Sequence, residues 1–201
     1  MEDSNISGSV FGSISRDQLR REKIYARNRL SQDERAILSA QAASRILSSP
    51  EFRQAGTILL YRAVRGEVRL ETLETAPEAN GKRLAYPLCS TANEMAALIP
   101  RGEHAWVKGR YGIAEPLREA SELIRPEEID LVICPCTVFD ECCNRMGMGS
   151  GYYDRYLEQC VNAHIISVAF ECQKTGMIPI EPWDKPMEAV FTEKAIYRRT
   201  R

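Results

Sequence analysis

The stretch Phe139-Asp140-Glu141-Cys142-Cys143-Asn144-Arg145-Met146-Gly147-Met148-Gly149-Ser150-Gly151-Tyr152-Tyr153-Asp154 concentrates residue types that handle anions. Three glycines at alternate positions free the backbone for positive φ and for close approach to a ligand. Successive amides in such a turn point the same way and form a nest for an anion, reinforced by the start of a following helix. Arg145 adds a permanent charge with a planar donor fork suited to phosphate. Asp154 offers hard oxygen ligands of the kind Mg²⁺ takes beside phosphate and water; it also reads as an acid favoured by the dipole of a helix start. Asp184, in Glu181-Pro182-Trp183-Asp184, is a loop acid that only the fold can bring near Asp154. Arg16 and Arg20, four apart, share a helix face that can grip a polyphosphate or, with Asp17 and Glu22 nearby, simply face solvent. Glu67, after Arg65-Gly66, is an acid where sites sit or the start of a helix. Without its flanks the loop is an ordinary glycine-rich turn ending a strand; Arg145 and Asp154 tilt it towards phosphate chemistry.

The cysteines are the competing chemistry. Cys134, Cys136, Cys142 and Cys143 crowd together, but structural zinc sites use well-separated pairs with two to four residues between the members. Small thiols in apolar runs such as Val132-Ile133-Cys134-Pro135-Cys136 are better read as packing. His104 and His164 sit in no motif that would activate a thiol. Seven cysteines, an odd number, and a start lacking a basic-then-apolar layout point to reducing cytoplasm rather than a disulfide framework.

Balanced charge, 27 Lys+Arg against 28 Asp+Glu, lacks the basic excess of a nucleic-acid or anionic-membrane binder. No apolar run approaches the roughly 18–20 residues of a membrane span. A length of 201 residues suits one domain, expected over 14–201 behind a flexible tail at 1–13.

The elements that must position these residues follow from patterning. Arg16 to Arg29 reads as a solvated helix, and Ser31-Gln32-Asp33-Glu34 as a capping box opening a second with Ile37, Ala40, Ala43 and Leu47 on one face. Short apolar runs at 57–61, 83–86, 95–99, 129–134 and 165–170 predict strands buried on both faces, the second stopped by Pro87. Helices are expected from about Val68 to Gly81 and over Tyr152 to Val161, a long surface excursion over 101–128, and a last edge strand at 190–196. The alternation predicts a three-layer α/β/α sandwich, Rossmann-like, on a mostly parallel sheet. In such sheets ligands collect at the carboxyl ends of strands, which selects the loop after Cys134.

Taken together these pieces resemble the 5-formyltetrahydrofolate cyclo-ligase family, also called 5,10-methenyltetrahydrofolate synthetase. The likeness runs from Arg16 to Ile196 through Glu67-Val68, Tyr86-Pro87, Tyr111 to Pro116, Asp130 to Ile133, Ala169 to Gln173, Ile178-Pro179 and Asp184-Lys185-Pro186. Its most specific part is the string from Arg145 to Asp154. The resemblance implies an ATP- and Mg²⁺-dependent enzyme in which ATP phosphorylates the formyl oxygen of 5-formyltetrahydrofolate. The folate side-arm nitrogen then attacks, and loss of phosphate leaves 5,10-methenyltetrahydrofolate.

By the same likeness Arg145, Met146, Gly147, Met148, Gly149, Ser150, Gly151, Tyr152 and Tyr153, with Arg16 and Arg20, hold the triphosphate. Asp154 and Asp184 hold Mg²⁺. Arg62, Glu67, Met148, Tyr152 and Tyr153 meet the folate, with Glu67, Arg145 and Tyr153 at the reacting atoms. A reduced folate, polyglutamylated or not, is the expected small-molecule partner of a monomer. Arg16 in place of the family's usual Lys, Met148 and Ser150 in place of bulkier or basic residues, Cys136 for Gly and Glu188 for Asp bear on rate and affinity. A member that binds without turnover and a phosphosugar enzyme on a similar sheet are the rival readings.

Overall fold

Ser15 opens the first helix by accepting the Gln18 amide on its hydroxyl. That helix, α1 (Arg16–Asn28), is followed by α2 (Gln32–Leu47), whose reciprocal box has Ser31 accepting from the Glu34 amide and Glu34 accepting from the Ser31 amide. The computed structural model describes residues 14–90, 94–109 and 112–200; the tail expected at 1–13, and Tyr111, lie outside them. A short α3 (Pro50–Gln54), capped by Ser49, precedes β1 (Thr57–Leu59), α4 (Glu71–Thr75), β2 (Arg83–Cys89) and β3 (Met95–Pro100). Then come β4 (Trp106–Lys108), β5 (Ala114–Pro116), β6 (Ser121–Ile124) and β7 (Leu131–Pro135). The chain continues with β8 (Val138–Phe139), β9 (Arg145–Met146), α5 (Tyr152–Leu157), β10 (His164–Val168), β11 (Ala189–Phe191) and β12 (Ile196–Arg198).

Eight of these strands form one sheet in the order β12-β11-β10-β7-β1-β2-β3-β6. The inner run from β2 through β1, β7 and β10 to β11 is parallel, with antiparallel strands added at both edges. Neighbouring side chains of a strand point to opposite faces, so strands apolar throughout must be covered twice. Ile58, Leu60, Leu131, Ile133, Ile166 and Val168 pack with Ala42, Ala43 and Ile46 of α2 and with Phe52 of α3. Leu59, Val132, Cys134 and Val190 pack with Tyr156 and Leu157 of α5 on the other side. The three layers expected from the sequence result, each buried Leu, Ile or Val contributing about 1.5–3 kcal/mol. Among the described residues no helix is long and apolar enough to cross a membrane.

Several local expectations need correction. Pro87 does not stop β2, which runs on to Cys89; past Ala85 its ladder partner is β3 alone, where a proline is tolerated. The helix expected from Val68 is confined to Glu71–Thr75, because Val68 and Leu70 are drawn into the core and Pro77 begins a separate 3₁₀ turn. The excursion at 101–128 contains the β4–β5 hairpin and β6, an edge strand of the main sheet. The last expected strand is two, β11 and β12, folded back at Thr192–Ala195, where the Thr192 hydroxyl accepts the Lys194 and Ala195 amides. α5 ends at Leu157 rather than Val161. On α2 the buried residues are Ser39, Ala42, Ala43 and Ile46, while Ile37 is exposed, so the packed face is rotated from the one expected.

Candidate active site

β7 delivers Pro135 to the carboxyl edge of the parallel sheet, and the backbone turns directly into the β8–β9 hairpin. Asp140 organises that hairpin. Its buried carboxylate accepts from the amides of Cys142 and Asn144, the Asn144 side chain, and the amide of Ile178 in a distant loop. Val138 and Met146 of the hairpin close with Leu19 of α1 and Ile178 into a small apolar cluster. The contact lays α1 across the glycine loop: Arg20 Nε donates to the Gly147 carbonyl at 3.1 Å. One acid and one apolar knot thus set the distance between the basic helix and the loop.

Gly149 has φ +103° and Gly151 φ +65°, conformations that L side chains avoid. A Cβ on Gly149 would find only ordinary contact, 3.9 Å from Arg20 Cζ, so strain rather than collision makes glycine necessary there. Gly149→Ala is expected to cost about 1–3 kcal/mol, read by urea unfolding. Gly151 is the residue before α5, and Tyr152 fastens that helix start by donating its hydroxyl to the Ser90 carbonyl at 2.8 Å.

A cleft of about 240 Å³ opens here, and it gathers nearly every residue singled out above. Arg16, Arg20, Glu67, Arg145 to Asp154, and Asp184 all line it, together with Cys89, Pro135, Cys136, Thr137, Glu181 and Trp183. Arg145 is 4% exposed, and its Nη2 donates to Asp154 Oδ1 at 2.9 Å. Arg16 grips Asp184 through both terminal nitrogens and also donates to the Pro179 carbonyl at 2.7 Å. That pairing holds the Asp184 carboxyl below its usual range and raises the Arg16 guanidinium. Met148 is half exposed at the rim, with Thr137 Oγ1 3.4 Å from its sulfur, whereas the side chain of Met146 is buried.

Glu67 stands on a turn built with positive φ at Arg65 and Gly66, and its Oε2 accepts the Val64 amide at 3.1 Å. Burial raises its pKa to about 6, against the opposing pull of that amide and of the Arg27 and Arg65 guanidiniums. Two polar atoms here are buried with no protein partner, Tyr153 Oη and Arg145 Nε. A buried donor without a partner costs about 1–3 kcal/mol, so such atoms in a cleft wall mark places where a ligand completes the bonding.

Arg62 is not among the residues lining the cleft. Its guanidinium lies 4.5 Å from the Tyr86 ring centre and 4.4 Å from that of Trp106, and it pairs with Glu74. Cys134 and Cys136 are buried at the β7 exit, where burial raises their thiols to about 11 and about 12. Among the described residues no three His, Cys, Asp or Glu side chains converge as a metal cage. Asp154 and Asp184 both line the cleft and are carboxylates there that could hold Mg²⁺, which characteristically takes one or two carboxylates and completes its shell with phosphate and water. A larger open groove of about 650 Å³ lies between α2 and the β11–β12 turn, but its arginines are spent within the fold. Arg45 there donates to the carbonyls of Thr192, Glu193 and Lys194, and Arg198 pairs with Glu51.

Trp183 and Arg27 lie outside the residues that the sequence singles out. A tryptophan in a polar loop beside Asp184 was the available signal for the first. Arg27 is fully buried, giving one bond to the Arg65 carbonyl under the turn that carries Glu67, and no short-range pattern marks it.

Comparison with known proteins identifies the family. The profile of the 5-formyltetrahydrofolate cyclo-ligase family matches residues 13–193. The chain is 29% identical over 175 residues to the Escherichia coli K12 5-formyltetrahydrofolate cyclo-ligase, covering 85% of this chain and 96% of the relative. To the mouse 5-formyltetrahydrofolate cyclo-ligase it is 26% identical over 180 residues, 82% and 86% of the two chains. The solved Aquifex aeolicus 5,10-methenyltetrahydrofolate synthetase matches with a TM-score of 0.80 at 33% identity, over 92% of this chain and 93% of that one. A match spanning the helix that carries the basic pair, the glycine loop and the whole parallel sheet makes this protein a member of the 5-formyltetrahydrofolate cyclo-ligase family.

Proposed function

We infer that the cleft is where this 5-formyltetrahydrofolate cyclo-ligase makes 5,10-methenyltetrahydrofolate, and that ATP drives the closure by phosphorylating the formyl oxygen. The observation that carries this reading is the union, in one cleft, of a glycine loop, three arginines, two aspartates and a buried acid. An amide oxygen is a poor leaving group. Transfer of the γ-phosphoryl group to it, with departure of ADP, turns it into a phosphate ester and leaves the carbon electrophilic. The side-arm nitrogen adds to that carbon, and the C–O bond then breaks to release inorganic phosphate while the nitrogen gives up its proton.

The residues divide the work by position. Arg16, Arg20, Arg145 and the amides of Gly147 to Gly151 offset the triphosphate charge, which is most of what catalysis of phosphoryl transfer requires. Arg16 and Arg145 are held by Asp184 and Asp154. Nucleotide phosphate would take the place of the carboxylates on these arginines, and Asp154 and Asp184 would then hold the divalent cation. Bound Mg²⁺ supplies Lewis-acid neutralisation of the phosphate oxygens. Glu67, ionised above pH about 6, accepts the nitrogen proton in this reading, and the unpartnered Tyr153 hydroxyl donates to the folate. Tyr152 and Met148 border the same space.

The test is direct. Purified protein given 5-formyltetrahydrofolate and Mg-ATP is expected to generate the ultraviolet absorbance of the methenyl product with one phosphate released per turnover, and to stop on chelation of the metal. Tight binding of both ligands without product would favour a member that has lost turnover; product formed without ATP would refute the phosphorylation step.

A further inference from the structure

Trp183 stands at the mouth of the cleft with 61% of its surface exposed. It is not on a loose segment. The Glu181 amide donates to Asp184 Oδ2 at 2.8 Å, the Asp184 amide to the Glu181 carbonyl at 2.9 Å, and Arg16 clamps Asp184 to α1. The indole is therefore presented on a turn tied shut on both sides. Gly149, Ser150, Gly151, Asp154 and Trp183 line the cleft and also a neighbouring groove of about 320 Å³. Arg155 and Glu158 form the rest of that groove's wall. These are anchored too: Arg155 donates to the Ser150 carbonyl at 3.0 Å, and Glu158 pairs with Lys185 at 3.2 Å. Glu67, Cys89, Pro135 and Cys136 border the cleft but not the groove.

Size and layout assign the two spaces. Sites for drug-sized ligands usually occupy about 300–1,000 Å³, so a cleft of about 240 Å³ is small for a whole nucleotide beside a folate. Because Gly149, Ser150 and Gly151 are common to both spaces, a triphosphate lying on the glycine loop borders the groove, which Glu67 does not line. We propose that Trp183 is the stacking platform for the base of the nucleoside triphosphate, and that the groove between it and α5 receives the nucleoside. The assignment rests on the reading that the loop holds the phosphates. A π-face reads no base edges, so this platform is tolerant: ATP and GTP bind within a few-fold of each other.

The experiment compares Mg-ATP with inorganic tripolyphosphate on the intact chain and on Trp183→Ala and Trp183→Phe, by calorimetry. Stacking on an aromatic side chain is worth about 1–3 kcal/mol by alanine substitution, so Trp183→Ala is expected to weaken ATP binding about tenfold and leave tripolyphosphate binding unchanged. Trp183→Phe should restore ATP binding to within about threefold, because a smaller aromatic still stacks. In a Trp106→Phe background, where Trp183 is the remaining tryptophan, ATP should quench its fluorescence and tripolyphosphate should not. Equal losses for both ligands would make Trp183 a support for the turn, and no loss for either would remove it from the site; each overturns the proposal. An intact chain that binds neither ligand would instead remove the phosphate cradle itself, and the stacking assignment with it.

Discussion

Turnover of Arg145→Met is expected to fall by about 10²–10³-fold at saturating Mg-ATP, the scale seen when one preorganised donor to developing charge is removed. Arg145 is buried in the cleft wall, fixed by Asp154 at 2.9 Å, with its Nε left unpartnered. A cation already desolvated and oriented gives a transferring phosphoryl group more than the same cation in water. Arg145→Lys keeps the charge but loses the planar fork, and an intermediate rate is expected. The fold is also affected, because removing one member of a buried pair strands the other. About 3 kcal/mol of stability should be lost in Arg145→Met, and most of it regained in Arg145→Met/Asp154→Asn, which neutralises both partners. That double variant isolates the structural part, since it should unfold nearly as the parent does in urea, whereas its turnover also reflects the loss of Asp154 as a proposed cation ligand. Arg145→Met turning over as fast as the parent at saturating Mg-ATP would make Arg145 a structural residue only.

Glu67→Gln is expected to lose activity and gain stability at the same time. Burial lifts the Glu67 carboxyl from an ordinary 4.5 to about 6. The folded chain therefore holds that proton more tightly than the unfolded chain does, so stability declines as pH rises through 4.5 to 6. Above that window the ionised acid costs about 2 kcal/mol. Glutamine carries no charge and can still accept the Val64 amide. At pH 8 the variant should melt higher, by on the order of 5 °C, and below pH about 4.5 the difference should vanish. Its turnover should fall about 10²-fold, the usual worth of a positioned base. The acid limb of kcat/KM, centred near pH 6 in the parent, should disappear. An unchanged pH profile would remove Glu67 from proton transfer; a variant less stable at pH 8 would show that the charged form is not disfavoured by burial.

The two variants act on opposite terms, since Arg145 is a buried charge with a partner and Glu67 a buried charge held by an amide and more remote cations. Arg27 is one of the contributors to that balance. Its guanidinium supports the Arg65 carbonyl and opposes the rise of the Glu67 pKa, although two of its own nitrogens have no partner in the protein.

Much of this was open to reading before any coordinates. The capping box at Ser31 to Glu34 forms because its hydrogen bonds are local, and the apolar run at 131–134 becomes a central strand because no face of it can meet water. The loop from Arg145 to Asp154 announced itself through residue types and spacing alone. Errors arose where distant packing overrode local preference. Ile37 is exposed because α2 is rotated by what it rests on, and β6 was hidden because its strand character comes from pairing with β3. Pro87 survives within a strand because the sheet narrows beside it.

Local order along the chain therefore determined the first two helices, the central strands, the glycine loop and the family resemblance, since caps, periodicity and glycine placement act over a few residues. Tertiary structure alone decided which charges meet. It laid α1 over the loop through Leu19, brought Asp184 to Arg16 across 168 positions, seated Arg62 over the Tyr86 and Trp106 rings, and turned Trp183 to the cleft mouth. Such pairings arise from closing one sheet against two layers, and the burial that sets Glu67 near 6 exists only once that closure is complete.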